Sequence, residues 1–124
     1  YKLGIVSDGT IDEQIYTLSK MGIIGFFDTI IISEAIGVNK PNPKIFEAAI
    51  KDLAIEPENI FFIGDDFKKD VIGGKKCGLK TIWVTKTVRR EVSEDYDKHI
   101  DIIIDRGQIY TIDSMLESFW GGKR

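Results

Sequence analysis

One cysteine, one histidine and three prolines are all that this chain has of those residue types. The lone Cys77 cannot close an internal disulfide, so a reducing, cytoplasmic compartment is the expectation. His99 sits in a charged stretch and reads as a solvated surface residue. No apolar run approaches the ~20 residues that cross a bilayer, and the first residues lack a signal-peptide pattern. There is no basic excess either. Seventeen Lys and Arg against 20 Asp and Glu leave a net charge of −3. The short pairs Lys68-Lys69, Lys75-Lys76 and Arg89-Arg90 lie among acidic residues, so the sequence points to no nucleic-acid surface and no membrane. Repeats and low-complexity tracts are absent, and 43% hydrophobic with 30% charged residues excludes disorder, collagen and coiled coil. What remains is one ordinary domain of 124 residues. A chain of this size buries roughly two thirds of its unfolded surface without help from a disulfide or a structural metal.

Strand-like runs alternate with helical periods. Leu3-Gly4-Ile5-Val6 reads as a buried strand. Thr10 and Glu13 form a candidate capping box, and Ile11, Ile15 and Leu18 recur at helical spacing before Gly22. Phe26 to Ile32 predicts a second strand ending near Ser33, and Gly37 to Pro43 a loop. Asn42-Pro43 opens a helix whose Phe46, Ala49, Ile50 and Leu53 share one face. Glu56 to Asn59 reads as a turn. Ile60 to Ile63 is free of polar residues, as a central parallel strand requires. A helix is expected from Phe67 to Cys77, stopped by Gly78. Lys80 to Val84 and Ile100 to Ile104 predict two more strands, and Ile112 to Phe119 a last helix. Thr85 to His99 reads as loop with some helix, and Gly121 to Arg124 as a frayed tail. Alternation of this kind means βα units around a mainly parallel sheet, with ligands at the carboxyl ends of the strands.

Three features fall at those ends. Ser7-Asp8-Gly9 closes the first strand, where a hydroxyl and backbone N–H groups near a helix start make a phosphate-sized cradle. A turn with a helix cap is the plainer account. In Lys40-Pro41-Asn42-Pro43 two prolines stiffen the loop, holding an ammonium suited to phosphate or carboxylate. The plainer account is a solvated lysine. Gly64-Asp65-Asp66 follows the most apolar strand, with Asp70 one turn on. Like charges ~4 Å apart repel by about 4 kcal/mol at an effective dielectric of ~20. Clustered carboxylates therefore suggest a cation, with Mg2+ favoured because it combines one or two carboxylates with waters and a phosphate. Alternatively, one aspartate caps the helix and the others are solvated. Together, a hydroxyl, a lysine and paired carboxylates suit phosphoryl chemistry.

The order of these motifs resembles the haloacid dehalogenase (HAD) superfamily of hydrolases, mostly magnesium-dependent phosphatases. Ser7 precedes Lys40 by 33 positions, Lys40 precedes Asp65 by 25, and Asp70 lies five beyond Asp65. Phe27 to Ile30, Ser33-Glu34 and Ile72 to Gly78 match the family's run as well, and the likeness extends from Leu3 to about Leu116. The resemblance implies an α/β, three-layer Rossmann-like core. It assigns Ser7 and Lys40 as catalytic, Ser7, Asp8, Gly9 and Lys40 as phosphate-binding, and Asp65, Asp66 and Asp70 as metal-binding. Asp70 is implied either as metal support or as a partner of Lys40. The cofactor implied is Mg2+ and the substrate a small phosphorylated metabolite.

One part of the family pattern is absent. The Asp-x-Asp-x-Thr motif supplies the nucleophile that forms an aspartyl-phosphate, on a strand between those of the second and fourth motifs. The nearest string here, Val6-Ser7-Asp8-Gly9-Thr10, has valine at the nucleophile position. Residues 1–124 are therefore expected to be the C-terminal portion of a HAD-like core domain, without a cap and without its first strand. Such a portion alone is expected to be inactive, and an N-terminal fragment or a second copy is expected to supply the strand. The alternatives are a magnesium- and phosphate-binding module without turnover, and the dehalogenase branch of the family. A signalling receiver domain is a further rival, but there the acidic pair falls near the chain start and the lysine near its end.

Overall fold

The computed structural model describes residues 1–85 and 100–120. Its five strands are β1 (Gly4–Ser7), β2 (Thr29–Ile32), β3 (Phe61–Gly64), β4 (Lys80–Thr85) and β5 (Ile102–Asp105). Between them lie α1 (Ile11–Lys20), α2 (Ser33–Ile36), α3 (Pro43–Leu53) and α4 (Gly73–Lys76), and α5 (Ile112–Trp120) follows β5. All described pairings are parallel, so the expected α/β class holds.

Local chemistry explains most element starts. Thr10 caps α1 by accepting the Glu13 N–H at 3.2 Å. Asn42 caps α3 through the Lys44 N–H at 3.0 Å, with Pro43 at the first helical position. Ala54 closes α3 in a left-handed conformation with φ of 53°. Three boundaries differ from the sequence expectation. β2 begins later, because Ile24–Phe26 coil into a 3-10 turn and the Asp28 carboxylate takes the Leu3 N–H at 2.8 Å, pinning the strand start. The helix expected over Phe67 to Cys77 opens as a π-helical turn, Phe67–Ile72, before α4. β5 starts at Ile102, because the Asp101 side chain is held by Thr81 and Lys75. The readings for Thr85 to His99 beyond residue 85, including Arg89-Arg90 and His99, lie outside the described residues, as does the tail.

Side chains alternate across the strands, and the core divides accordingly. On one face, fully buried Ile45 and Phe46 of α3 pack with Leu79, Phe62 and Val6. On the other, Ile82 and Ile104 pack with Phe61 and with Ile112, Met115 and Leu116. Neighbours Phe61 and Phe62 thus serve opposite faces, which gives three layers. Each fully buried side chain of this size contributes ~1.5–3 kcal/mol.

The sheet has two parts. One has the order β1-β2 and the other β3-β4-β5. Between β1 and β3 runs a groove of about 820 Å³, lined by Gly4 to Val6, by Ile60 to Asp65, by Phe46 and Leu53 of α3, and by Leu116 and Trp120 of α5. No described helix is long and apolar enough to cross a membrane.

Candidate active site

The carboxyl ends of β1 and β3 are tied together by side chains. Asp8, just past β1, accepts the backbone N–H of Lys40 at 2.8 Å. This fixes the loop before α3 against the β1 turn. The Lys40 ammonium then reaches across to Asp70, with Nζ 2.7 Å from Oδ1. The other Asp70 oxygen, Oδ2, accepts the Asp66 N–H at 3.1 Å. Both side chains of the pair are largely buried, 15% and 6% exposed, so each charge depends on the other. The Lys40 ammonium also lies 5.9 Å from the Phe62 ring centroid. Of its three donors one is spent on Asp70, which leaves two for an incoming oxyanion.

Ser7 ends β1 half-buried, with its hydroxyl donating weakly to the Asp8 carbonyl at 3.4 Å. Gly9 is committed elsewhere. Its N–H donates to Ser33 Oγ at 2.8 Å, and Ser33 Oγ donates back to the Gly9 carbonyl at 3.1 Å. Ser33 thereby locks the turn after β1 to the start of α2. Asp66 caps the π-helical turn by accepting the Lys69 N–H at 2.8 Å. Lys69 Nζ stands 3.9 Å from Asp8 Oδ2, a loose and half-exposed pair.

Asp65 differs from its two neighbours. Its carbonyl accepts Trp83 Nε1 at 3.0 Å, which leaves its exposed carboxylate uncommitted. Among the described residues no three His, Cys, Asp or Glu side chains group closely enough to hold a metal. Magnesium takes one or two carboxylates beside waters and substrate oxygens. Asp65 fits as one such ligand. Asp70 has both oxygens engaged and Asp66 one, so a second fully available carboxylate would have to come from outside the described residues.

Two residues have roles that the sequence did not announce. Gly64 is glycine because the Asp70 side chain lies where its Cβ would be, in contact with Asp70 Cβ and Oδ2. Asp8 acts first on the Lys40 backbone, a link across 32 positions that no local pattern reveals.

Residues 1–84 match the family described as haloacid dehalogenase-like hydrolase. The chain belongs to that family. A glyceraldehyde 3-phosphate phosphatase from Methanopyrus kandleri is 37% identical over 107 residues, 86% of this chain and 46% of that protein. A pyrimidine 5'-nucleotidase from Escherichia coli is 36% identical over 92 residues, 73% of this chain and 40% of that protein. Among solved structures, a HAD phosphatase from Thermococcus onnurineus superimposes with a TM-score of 0.79 at 30% identity, covering 94% of this chain and 50% of that one. A putative HAD-hydrolase from Bacillus subtilis, described as bound to magnesium, matches at 0.79 and 26%, covering 94% of this chain and 49% of its own. This chain therefore spans about half the length of the relatives it matches.

Proposed function

We propose that these residues are the C-terminal portion of a HAD-like phosphatase core domain that hydrolyses a small phosphomonoester. The observation that carries this reading is the placement of Lys40. Its backbone is held by Asp8 and its ammonium by Asp70, at the end of the sheet where Ser7 and Asp65 also stand. An ammonium fixed before substrate arrives stabilises developing phosphate charge without reorganisation in the reaction. Ser7 Oγ is the second donor to the phosphate. Asp65 is the ligand this chain offers to Mg2+, which when bound would neutralise phosphate charge. The phosphatase relatives support the hydrolase class.

The nucleophile in this reading is an aspartate outside the 124 residues, forming an aspartyl-phosphate in the intact enzyme. No described aspartate at this end suits the role. Asp8 is turned to the Lys40 N–H, Asp66 caps a helical turn, Asp70 is saturated, and Asp65 is taken in this reading as the magnesium ligand. The same fact favours a second reading, a module that binds magnesium and phosphate without turnover.

Phosphate release from an aryl phosphate, with and without magnesium, separates the two. A polypeptide of the relatives' length that contains these residues should release phosphate only with magnesium, and Asp65→Asn should lower the rate by 10²-fold or more. Magnesium-dependent phosphate binding with no release in that longer polypeptide overturns the enzymatic reading and leaves the binding module.

A further inference from the structure

Lys40 is not the only lysine that reaches across the carboxyl ends of β1 and β3. Lys69 stands in the π-helical turn after β3, and its ammonium extends toward Asp8 in the turn after β1, with Nζ 3.9 Å from Oδ2. The two contacts lie at different depths. The side chains of Lys40 and Asp70 are 15% and 6% exposed, whereas those of Lys69 and Asp8 are 53% and 24% exposed. Lys40 is thus the inner charge, placed for the phosphate, and Lys69 an outer charge on the rim of the same site.

The outer contact does little for the fold. At 3.9 Å it is longer than a hydrogen bond, and half-exposed ion pairs contribute little to stability. Among the described residues the Lys69 ammonium meets no closer acceptor, so its three donors are open to an incoming group. Asp8 does not depend on Lys69 either. Its Oδ1 accepts the Lys40 N–H at 2.8 Å, and its side chain is partly exposed. Lys69 can therefore turn from Asp8 to a ligand without stranding a buried charge, which Lys40 could not do by leaving Asp70. The backbone of Lys69 is fixed all the same. Its N–H donates to Asp66 Oδ1 at 2.8 Å, and the next residue is the buried Asp70 that holds Lys40. Consecutive Cα atoms are ~3.8 Å apart, so the stem of Lys69 is anchored beside the phosphate site while its head is free. Of the acidic neighbours, Asp66 is engaged in capping and Asp70 with Lys40, which lessens their repulsion of an anion at this rim.

We propose that Lys69 is a specificity-determining residue, selecting phosphomonoesters that carry a second anionic group, a carboxylate or another phosphate, a few bonds from the reacting phosphorus. This rests on the phosphatase reading and narrows its substrate class. The reacting phosphate takes Ser7 and Lys40, and the second anion draws the Lys69 ammonium away from Asp8. Charge-assisted hydrogen bonds form there only when the second anion is present. With an ester whose other end is neutral, Lys69 stays beside Asp8 and contributes nothing to binding.

The test uses a polypeptide of the relatives' length that contains these residues, with magnesium and three esters: propyl phosphate, 2-carboxyethyl phosphate and propane-1,3-diyl bisphosphate. For the better of the two charged esters, kcat/KM should exceed that for propyl phosphate by about tenfold or more, and the better one identifies the second group. Lys69→Ala should abolish most of that preference while leaving kcat/KM for propyl phosphate within about twofold, which shows that the variant is folded and the phosphate site intact. Equal rates on all three esters in the unsubstituted protein overturn the proposal. A preference that survives Lys69→Ala overturns it too, as does an equal loss on all three esters, which would place Lys69 on the reacting phosphate or in the fold. If none of the esters is hydrolysed, the phosphatase reading fails, and calorimetric titration of the same polypeptide with pyrophosphate and with phosphate decides the role of Lys69. Pyrophosphate bound about tenfold more tightly, with the difference lost in Lys69→Ala, upholds recognition of a second anion, and equal affinities overturn it.

Discussion

Two lysine–aspartate pairs occupy opposite ends of the sheet. At the amino ends of β4 and β5, Lys75 Nζ sits 2.9 Å from Asp101 Oδ2, and that oxygen also accepts the Thr81 N–H at 2.8 Å. At the carboxyl ends, Lys40 meets Asp70 at 2.7 Å. The Asp101 carboxylate ties a lysine to the backbone of fully buried Thr81, and its second oxygen returns to the same ammonium. This pair closes on itself. The Lys40 pair is more deeply buried yet less complete, because its ammonium keeps two donors and the Asp65 carboxylate nearby is uncommitted. The same two residue types thus make a fastener at one end and a poised charge at the other. What separates them is how many hydrogen-bonding groups remain once the fold has taken its share.

Removing an aspartate from each pair sharpens the contrast. Asp70→Ala strands the Lys40 ammonium and should cost ~3–5 kcal/mol of stability, read as the denaturant midpoint. A loss below about 1 kcal/mol would mean that Lys40 finds water easily and that the pair is not a buried one. Asp101→Ala should cost less, ~1–3 kcal/mol, chiefly from the unpaired Thr81 N–H. Its signature is pH dependence. Burial alone would raise the Asp101 carboxyl pKa, but the Thr81 N–H, the Lys75 ammonium and Lys80 outweigh it and hold the carboxyl below its ordinary 3.8. A carboxyl depressed in the folded state stabilises fully above the unfolded value, and that contribution fades as pH falls through the lowered one. The gap between wild type and Asp101→Ala should therefore be constant near neutrality and narrow in strong acid. A gap that widens on acidification would reverse the sign assigned here. The smallest effect belongs to Lys69→Ala. Its 3.9 Å pair with Asp8 is half-exposed, and thermal unfolding should register no more than ~0.5 kcal/mol.

These differences mark where sequence reasoning stopped. Periodicity and caps located α1, α3 and β3 to within a residue or two, because Thr10, Asn42-Pro43 and the Ile60 to Ile63 run act through neighbours in the chain. The motif positions Ser7, Lys40 and Asp65 were legible for the same reason. The choice of partner for Asp70 was open, since metal support and a bond to Lys40 both suit a carboxylate one turn into a helix. Only the contact across 30 positions places it on Lys40. Likewise, the bonds that join Asp8 to Lys40 and Gly9 to Ser33 span 32 and 24 positions, so no local pattern announces them. The π-helical turn that brings Asp70 beneath Gly64 leaves no mark in hydrophobic spacing either.

The ties at the two ends of the groove have a consequence for assembly. Lys40–Asp70 fastens one end, and Tyr1 against Trp120 the other, so the walls are already set apart and parallel before anything lies between them. The strands that form the walls therefore have little conformational freedom left to lose when anything comes to lie between them.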